Sequence, residues 1–174
     1  MKAGNDVIID KWVRIKRPHL VQIGNRVAID FGFYCTTALE LGDYVHIAPY
    51  VTCIGGIKGK LIAKGFNNIM AGARIICGSD RFDDSGLFGA LIPEELRGKF
   101  IFGNVTMEYF SNIGTGAIVL PNSTLRKGVL LTAGSLLMGD TEEWGVYKGN
   151  PAILIKKIDG KKIIENAIKL GYKE

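Results

Sequence analysis

The side chains able to do chemistry are few and unevenly placed in this sequence. Two histidines (His19, His46), three cysteines (Cys35, Cys53, Cys77) and an acidic stretch at 78–100, GSDRFDDSGLFGALIPEELRGKF, hold most of them. That stretch gathers Ser79, Asp80, Asp83, Asp84, Glu94 and Glu95. Carboxylates and an imidazole suit proton transfer, and a positioned base that takes a proton in the transition state is worth roughly 10²–10⁴ in rate. Each acidic residue alone also reads as part of a solvated loop. His46 stands beside a turn, just before the apolar Ile47, and reads equally well as a surface or interface histidine. The cysteines are odd in number and lack metal-ligand spacing, so small buried thiols in a reducing compartment are expected. Two histidines are too few for a three-histidine zinc site, so no metal is expected.

These residues need a frame, and the sequence supplies one by its period. Counting by six from Ile23 gives Ile23, Ile29, Cys35, Leu41, Ile47 and Cys53. The companion series four positions on is Val27, Phe33, Leu39, Val45, Val51 and Ile57. All twelve are apolar. With a hydrophobic fraction of 47 %, such a hit in some register arises by chance roughly once in a thousand. A second array runs Met107, Ile113, Val119, Leu125, Leu131 and Leu137, with the mostly small companions Ser111, Ala117, Ser123, Val129 and Ser135. Ile9, Ile15 and Val21 extend the step of six towards the N-terminus.

A period of six is neither helical nor simple strand alternation. It fits a parallel β-helix in which each six-residue unit makes one short strand and one turn, and three units close a triangular coil of about eighteen residues. One coil cannot bury its apolar column, so several must stack. After Gly55-Gly56 the register shifts, and 78–100 carries no repeat, as expected for a loop extruded from a corner. Residues 159–174 place Ile163, Ile164, Ala167, Ile168 and Leu170 at helical spacing, predicting a short amphipathic helix that closes the end of the solenoid.

Length and composition agree with one domain over 1–174. No stretch approaches the ~18–20 apolar residues of a membrane span, and no basic start precedes an apolar run, so a cytoplasmic location is expected. The net charge of +5 owes much to lysines from Lys148 onward. They suit anionic small molecules at least as well as nucleic acid, for which no motif or aromatic-basic interleaving argues.

The hexapeptide units, the run VHIAPYVTCIGG, the 78–100 loop, the segment GNVTMEYFSNIGTGAIVLPNSTL and the ending WGVYKGNPAILIKKI together resemble the left-handed β-helix acyltransferases. More narrowly, they are similar to sugar O- and N-acetyltransferases of the galactoside and maltose acetyltransferase kind, over about residues 20–158. The ending, an aromatic followed by Gly-Asn-Pro-Ala and a Lys-Lys pair, is the more specific signal. The resemblance implies an all-β, left-handed coil, a homotrimer with active sites at the subunit interfaces, and acetyl-CoA or another acyl-CoA lying between adjacent solenoids.

The same resemblance implies that the backbone at Thr115 and Ala133 binds the pantetheine amides and that Lys156, beside Lys157, meets the CoA phosphates. Ile153 stands where relatives often have Arg, and Met138-Gly139 where they have Thr-Lys. In much of the family a loop histidine takes the acceptor's proton; here that place, near Ser79-Asp80, has none. An alcohol profits most from a strong base, whereas an amine already carries a nucleophilic lone pair when unprotonated. The expectation is therefore acyl transfer to the amino group of a nucleotide-linked amino sugar in surface-polysaccharide biosynthesis. The catalytic candidates are His46, Asp80 and Glu94, with Ser79 and Asp84 binding the acceptor. Sugar O-acetylation and a non-catalytic β-helix subunit remain the alternatives. A γ-class carbonic anhydrase, which shares the fold, is excluded by its histidine requirement.

Overall fold

The computed structural model describes residues 1–173 as a left-handed β-solenoid of about seven turns. Three parallel faces form a prism. Face 1 stacks Lys2–Ala3, Val21–Ile23, Ala38–Asp43, Lys60–Gly65, Asn104–Met107 and Ser123–Leu125. Face 2 stacks Ile8–Ile9, Ala28–Ile29, His46–Ile47, Asn68–Ile69, Asn112–Ile113, Leu130–Leu131 and Gly145–Gly149, and is capped by the antiparallel strand Ala152–Lys157. Face 3 stacks Arg14–Ile15, Tyr34–Cys35, Thr52–Ile54, Arg74–Ile76, Ile118–Val119 and Leu136–Leu137. Two-residue strands are too short to stand alone; each is held by the coils above and below it.

The six-residue arrays are the core. Ile29, Cys35, Ile47 and Cys53 of the first, and Met107, Ile113, Val119 and Leu125 of the second, are all 0 % exposed. The small companions Ser111, Ala117, Ser123 and Ser135 are buried too. Burying one such aliphatic side chain is worth about 1.5–3 kcal/mol, so the stacked column supplies the main drive to fold.

Two positions depart from the sequence reading. Ile57 is 68 % exposed. Leu39 pairs with Leu61, a step of 22 residues rather than 18, so Gly55–Gly59 is a corner insertion and Ile57 rides on it. The corner needs glycine because Cβ atoms on Gly55 or Gly59 would each stand 2.6 Å from Cys77 Cβ. Val21 is buried but aligns with Leu39, in the companion column, while Ile23 aligns with Leu41. The 3-10 turn Pro18–Leu20 supplies the two extra residues that shift this phase. The first coil also lacks a neighbour below, so Ile9 stays 37 % exposed at the open end.

All three cysteines are buried and unpaired, including Cys77, which lies outside the six-residue arrays. Burial pushes the Cys53 thiol well above its ordinary value, so it is protonated and packs as a small apolar group.

The C-terminal helix, α1 (Lys161–Ile168), is shorter than expected and does not close the solenoid. The hairpin of Gly145–Gly149 and Ala152–Lys157 occupies that end. Instead α1 and the residues after it lie along the corner between faces 1 and 2, where Tyr44, Phe66, Phe110 and Trp144 all adopt positive φ and form an aromatic column. Tyr172 sets its ring edge-on to Phe110, with centroids 4.9 Å apart, and Ala167 is buried beneath. Among the described residues no helix is long and apolar enough to cross a membrane.

The register makes a direct prediction. Ile113→Ala should lower the unfolding free energy by about 2–5 kcal/mol, whereas Ile57→Ala should change it by less than about 0.5 kcal/mol. Urea denaturation of both variants measures this, and equal losses would contradict the placement of the corner insertion.

Candidate functional site

Three groups of polar or open positions stand out on the prism, at three different places. The first is the arm. It leaves the corner between faces 3 and 1 after Ile76 and returns at Asn104. Far from irregular, it begins as a two-stranded antiparallel ladder of Gly78–Asp80 with Phe100–Phe102. Ser79 pairs with Ile101 and Asp80 with Phe100. With Gly55, Gly56 and the two Phe rings they line a pocket of about 230 Å³. Asp84 is exposed on the outgoing limb, and Glu94 is exposed on a 3-10 turn beyond the Leu87–Arg97 bridge, near the tip. Neither lines the Ser79–Asp80 pocket, so one chain does not bring these four residues together.

Asp83 has a structural task. Its carboxylate accepts the Ser85 amide at 3.0 Å and lies 2.7 Å from Arg81 Nε, while Ser85 Oγ accepts the Lys99 amide across the arm. The Ser85 hydrogen bonds, aided by Arg81, lower the Asp83 pKa. Asp83 thus clamps the two limbs of the arm.

The second group is on face 2. His46 and Asp30 are partly shielded, their side chains 45 % and 36 % exposed, and His46 Nε2 lies 2.8 Å from Asp30 Oδ2. An ionised carboxylate can only accept, so Nε2 donates and the neutral ring keeps its lone pair on Nδ1. Asp30 was not singled out from sequence. The signal was the coil length itself: position 28 sits under position 46, which puts the turn residue Asp30 within reach of the histidine one coil above. Face 2 lies across the prism from the corner that carries the arm, so His46 is also apart from Asp80.

The third group is the corner between faces 2 and 3, where each coil makes a two-residue turn. In the upper coils the turns are Ala71-Gly72, Thr115-Gly116 and Ala133-Gly134, stacked through Gly116 N–H to Ala71 O at 3.0 Å and Gly134 N–H to Thr115 O at 2.9 Å. The three glycines have φ of 69, 65 and 66°, and the space a Cβ would take is empty. Thr115 and Ala133 are exposed, and their amides have no acceptor among the described residues. Such a channel of small residues with spare donors fits an extended amide-bearing chain like pantetheine. Lys156 lies at the same end of the prism, opposite Val146 in the closing hairpin, with no ion pair among the described residues. Lys157 is engaged: Glu142 holds its ammonium at 2.7 Å and raises its pKa.

No cluster of three His, Cys, Asp or Glu side chains suited to a metal occurs among the described residues. Trp144 and Tyr147 serve packing. A Cβ on Gly128 would stand 2.0 Å from the Trp144 ring, and Tyr147 is buried at the top of the core.

No protein-family model matches the chain. A dTDP-4-amino-4,6-dideoxy-D-glucose acyltransferase from Escherichia coli is 31 % identical over 150 residues, covering 83 % of this chain and 75 % of that one. Among solved structures, AntD, an N-acyltransferase from Bacillus cereus in complex with dTDP and coenzyme A, superposes with a TM-score of 0.90 at 28 % identity, covering 98 % of this chain and 92 % of that one. A galactoside acetyltransferase in complex with coenzyme A is more distant, at a TM-score of 0.57 and 19 % identity, covering 93 % of this chain and 67 % of that one, and shares the fold.

The clamp yields a pH prediction. The folded pKa of Asp83 lies below the usual 3.8, so its stabilisation is present above that value and fades as pH falls through the folded pKa. The protection of the Ser85 and Lys99 amides, taken relative to intrinsic exchange at the same pH, should therefore fall as pH drops below 3.8 through the folded pKa. In Asp83→Asn that protection should be lost already at pH 7. Equal protection in both proteins at pH 7 would remove the clamp.

Proposed function

This chain belongs to the hexapeptide-repeat sugar acyltransferases, and we propose that it transfers an acyl group from acyl-CoA to the amino group of a nucleotide-linked amino sugar. The observation that carries this reading is the open ladder of turns at Ala71, Thr115 and Ala133, with free amides at Thr115 and Ala133. It offers a thioester-bearing arm a track along the prism. Relatives named for a dTDP-linked 4-amino sugar, and one bound to dTDP and coenzyme A, support the choice of acceptor.

The chemistry follows from the groups present. The neutral amine attacks the thioester carbonyl carbon, a C–N bond forms, and collapse of the tetrahedral adduct breaks the C–S bond and releases the CoA thiolate. The amine must lose one proton. In the neutral His46 ring the Nε2–H bond to Asp30 leaves the lone pair on Nδ1, and that nitrogen takes it. On the arm, Asp80 and Ser79 orient the acceptor, while Glu94 and Asp84, which lie away from that pocket, take no part in this reading.

Because the arm and the His46 dyad occupy opposite sides of one prism, a complete site takes the arm of one subunit and face 2 of another. A homotrimer with three interfacial sites meets that need. The arm's exposed Phe82 and Leu91, 81 % and 97 % accessible in the single chain, give it apolar surface to lay on a neighbour. The same reading places the protein in the cytoplasm and its product in surface-polysaccharide biosynthesis.

Free-thiol release from acetyl-CoA in the presence of dTDP-4-amino-4,6-dideoxyglucose tests the proposal. Turnover is expected with the amine, and about 10²–10⁴-fold less in His46→Gln and Asp30→Asn. Asp80→Asn should raise the acceptor KM about tenfold with little change in the acyl-CoA KM, and Ala133→Leu should do the reverse. Turnover only on the corresponding hydroxyl sugar, or no binding of CoA by calorimetry, would overturn the reading.

A further inference from the structure

The corner that carries the open ladder changes character halfway along. Above, its turns are Ala71-Gly72, Thr115-Gly116 and Ala133-Gly134; below, they are Lys11-Trp12, Phe31-Gly32 and Pro49-Tyr50. The lower half is therefore aromatic. Trp12, Phe31 and Tyr50 are 64 %, 37 % and 60 % exposed, although large rings are ordinarily drawn into the core. The Phe31 and Tyr50 rings meet edge-on with centroids 5.3 Å apart. Gly32 makes room for this pair, since a Cβ there would stand 2.7 Å from the Tyr50 ring. Lys11 Nζ lies 5.4 Å from the centre of the Trp12 ring.

Tyr50 is also strained. Its φ is 61°, in the left-handed region, at the place where each upper coil has glycine. The other aromatic residues held at positive φ, Tyr44, Phe66, Phe110 and Trp144, are half-buried or buried in the column beside α1, so ring stacking and partial burial offset their cost. Tyr50 has no such cover. A backbone cost carried by an exposed ring points to use of the ring's face.

We infer that Tyr50 and Phe31, with Trp12 and Lys11 beyond them, form the platform on which the nucleobase of the acceptor's nucleoside diphosphate stacks. This rests on the reading of the site given above. An aromatic face stacks any nucleobase, and Lys11 brings a cation for the diphosphate. The order along the corner fits a two-substrate site. The small-residue half takes the acyl donor, and the aromatic half, beside whose upper two turns the His46–Asp30 pair stands, takes the far end of the acceptor. Asp30 and Phe31 are neighbours in one turn, so the proton-accepting pair and the platform are fixed to each other by a single peptide bond.

Calorimetric titration of the full-length protein with dTDP, and separately with CoA, tests this. Tyr50→Gly copies the turn of the upper coils and relieves the positive φ, so its thermal midpoint should equal or exceed the wild type's. Its Kd for dTDP should nevertheless rise about ten- to a hundredfold, as for the loss of one stacked base, with the Kd for CoA unchanged. Phe31→Ala should weaken dTDP in the same direction. An unchanged Kd for dTDP would overturn the platform, and so would weaker CoA binding in Tyr50→Gly, which would give the rings to the adenine of CoA. Dissociation of the oligomer in Tyr50→Gly, seen by sedimentation, would also overturn it by making the rings a subunit contact. Failure of the proposed reaction has a different signature: dTDP binds the wild type and weakens in Tyr50→Gly, yet no amino sugar releases thiol.

Discussion

Everything in this molecule depends on one close-packed column: aliphatic side chains pointing into a three-sided prism and lying on the same position of the next coil. Ile29, Ile47, Ile69, Ile113 and Leu131 follow one another up the inside of face 2 with almost no exposure. Each two-residue strand gains its hydrogen bonds only from the coils above and below, so burial and strand pairing are one event. A residue that cannot enter the column must leave the coil, and the chain does this by inserting whole segments at corners. The four extra residues before Leu61 and the long arm after Ile76 both leave the column in phase: Leu39, Leu61 and Val105 still align.

That rule divides the molecule into faces that stabilise and corners that act. Inward positions are set by packing and tolerate only apolar or small residues. Corner residues are free of that demand, so their variety needs another cause. On the corner between faces 1 and 2 the cause is local burial: rings held at positive φ stack into a column that Tyr172 and α1 cover. On the corner between faces 2 and 3 no element among the described residues lies over the turns. There large aromatic residues in the lower coils give way to small ones in the upper coils, a change that the proposed two-substrate site accounts for.

The period made the fold legible before any coordinates, because a six-residue repeat of apolar residues has few other physical explanations. It failed where insertions changed the phase. Ile57 matched the pattern in type but not in place, and Val21 belonged to the companion column, because counting by six cannot see a corner lengthened by two or four residues. The helix was read correctly in kind. Its position was not, since an apolar stripe says that a helix packs but not on what. Of the candidate site, Thr115 and Ala133 were named through family resemblance alone; their exposure and open turns follow from the corner geometry, which the sequence does not display. Asp30 was hidden because its partner is sixteen residues away. Only the eighteen-residue coil, applied to polar as well as apolar positions, would have paired it with His46.

The same geometry bears on assembly. In a triangular prism a corner and the face opposite it can never approach, whatever the side chains do. The arm with Ser79 and Asp80 stands at one corner, and the His46–Asp30 pair on the facing side. If both groups act on one amine, as proposed, they come from two copies of the chain. Joining the arm of one copy to face 2 of the next is a head-to-tail contact, and such contacts either close into a ring or run on as a filament. Closure fits a short rigid rod with three equivalent sides, for which rotation about a parallel axis returns to the start after three copies. Each site in such a ring would hold one arm, one dyad and one open corner. The arm's apolar residues, costly to leave in water, would then be covered by the contact that completes the chemistry.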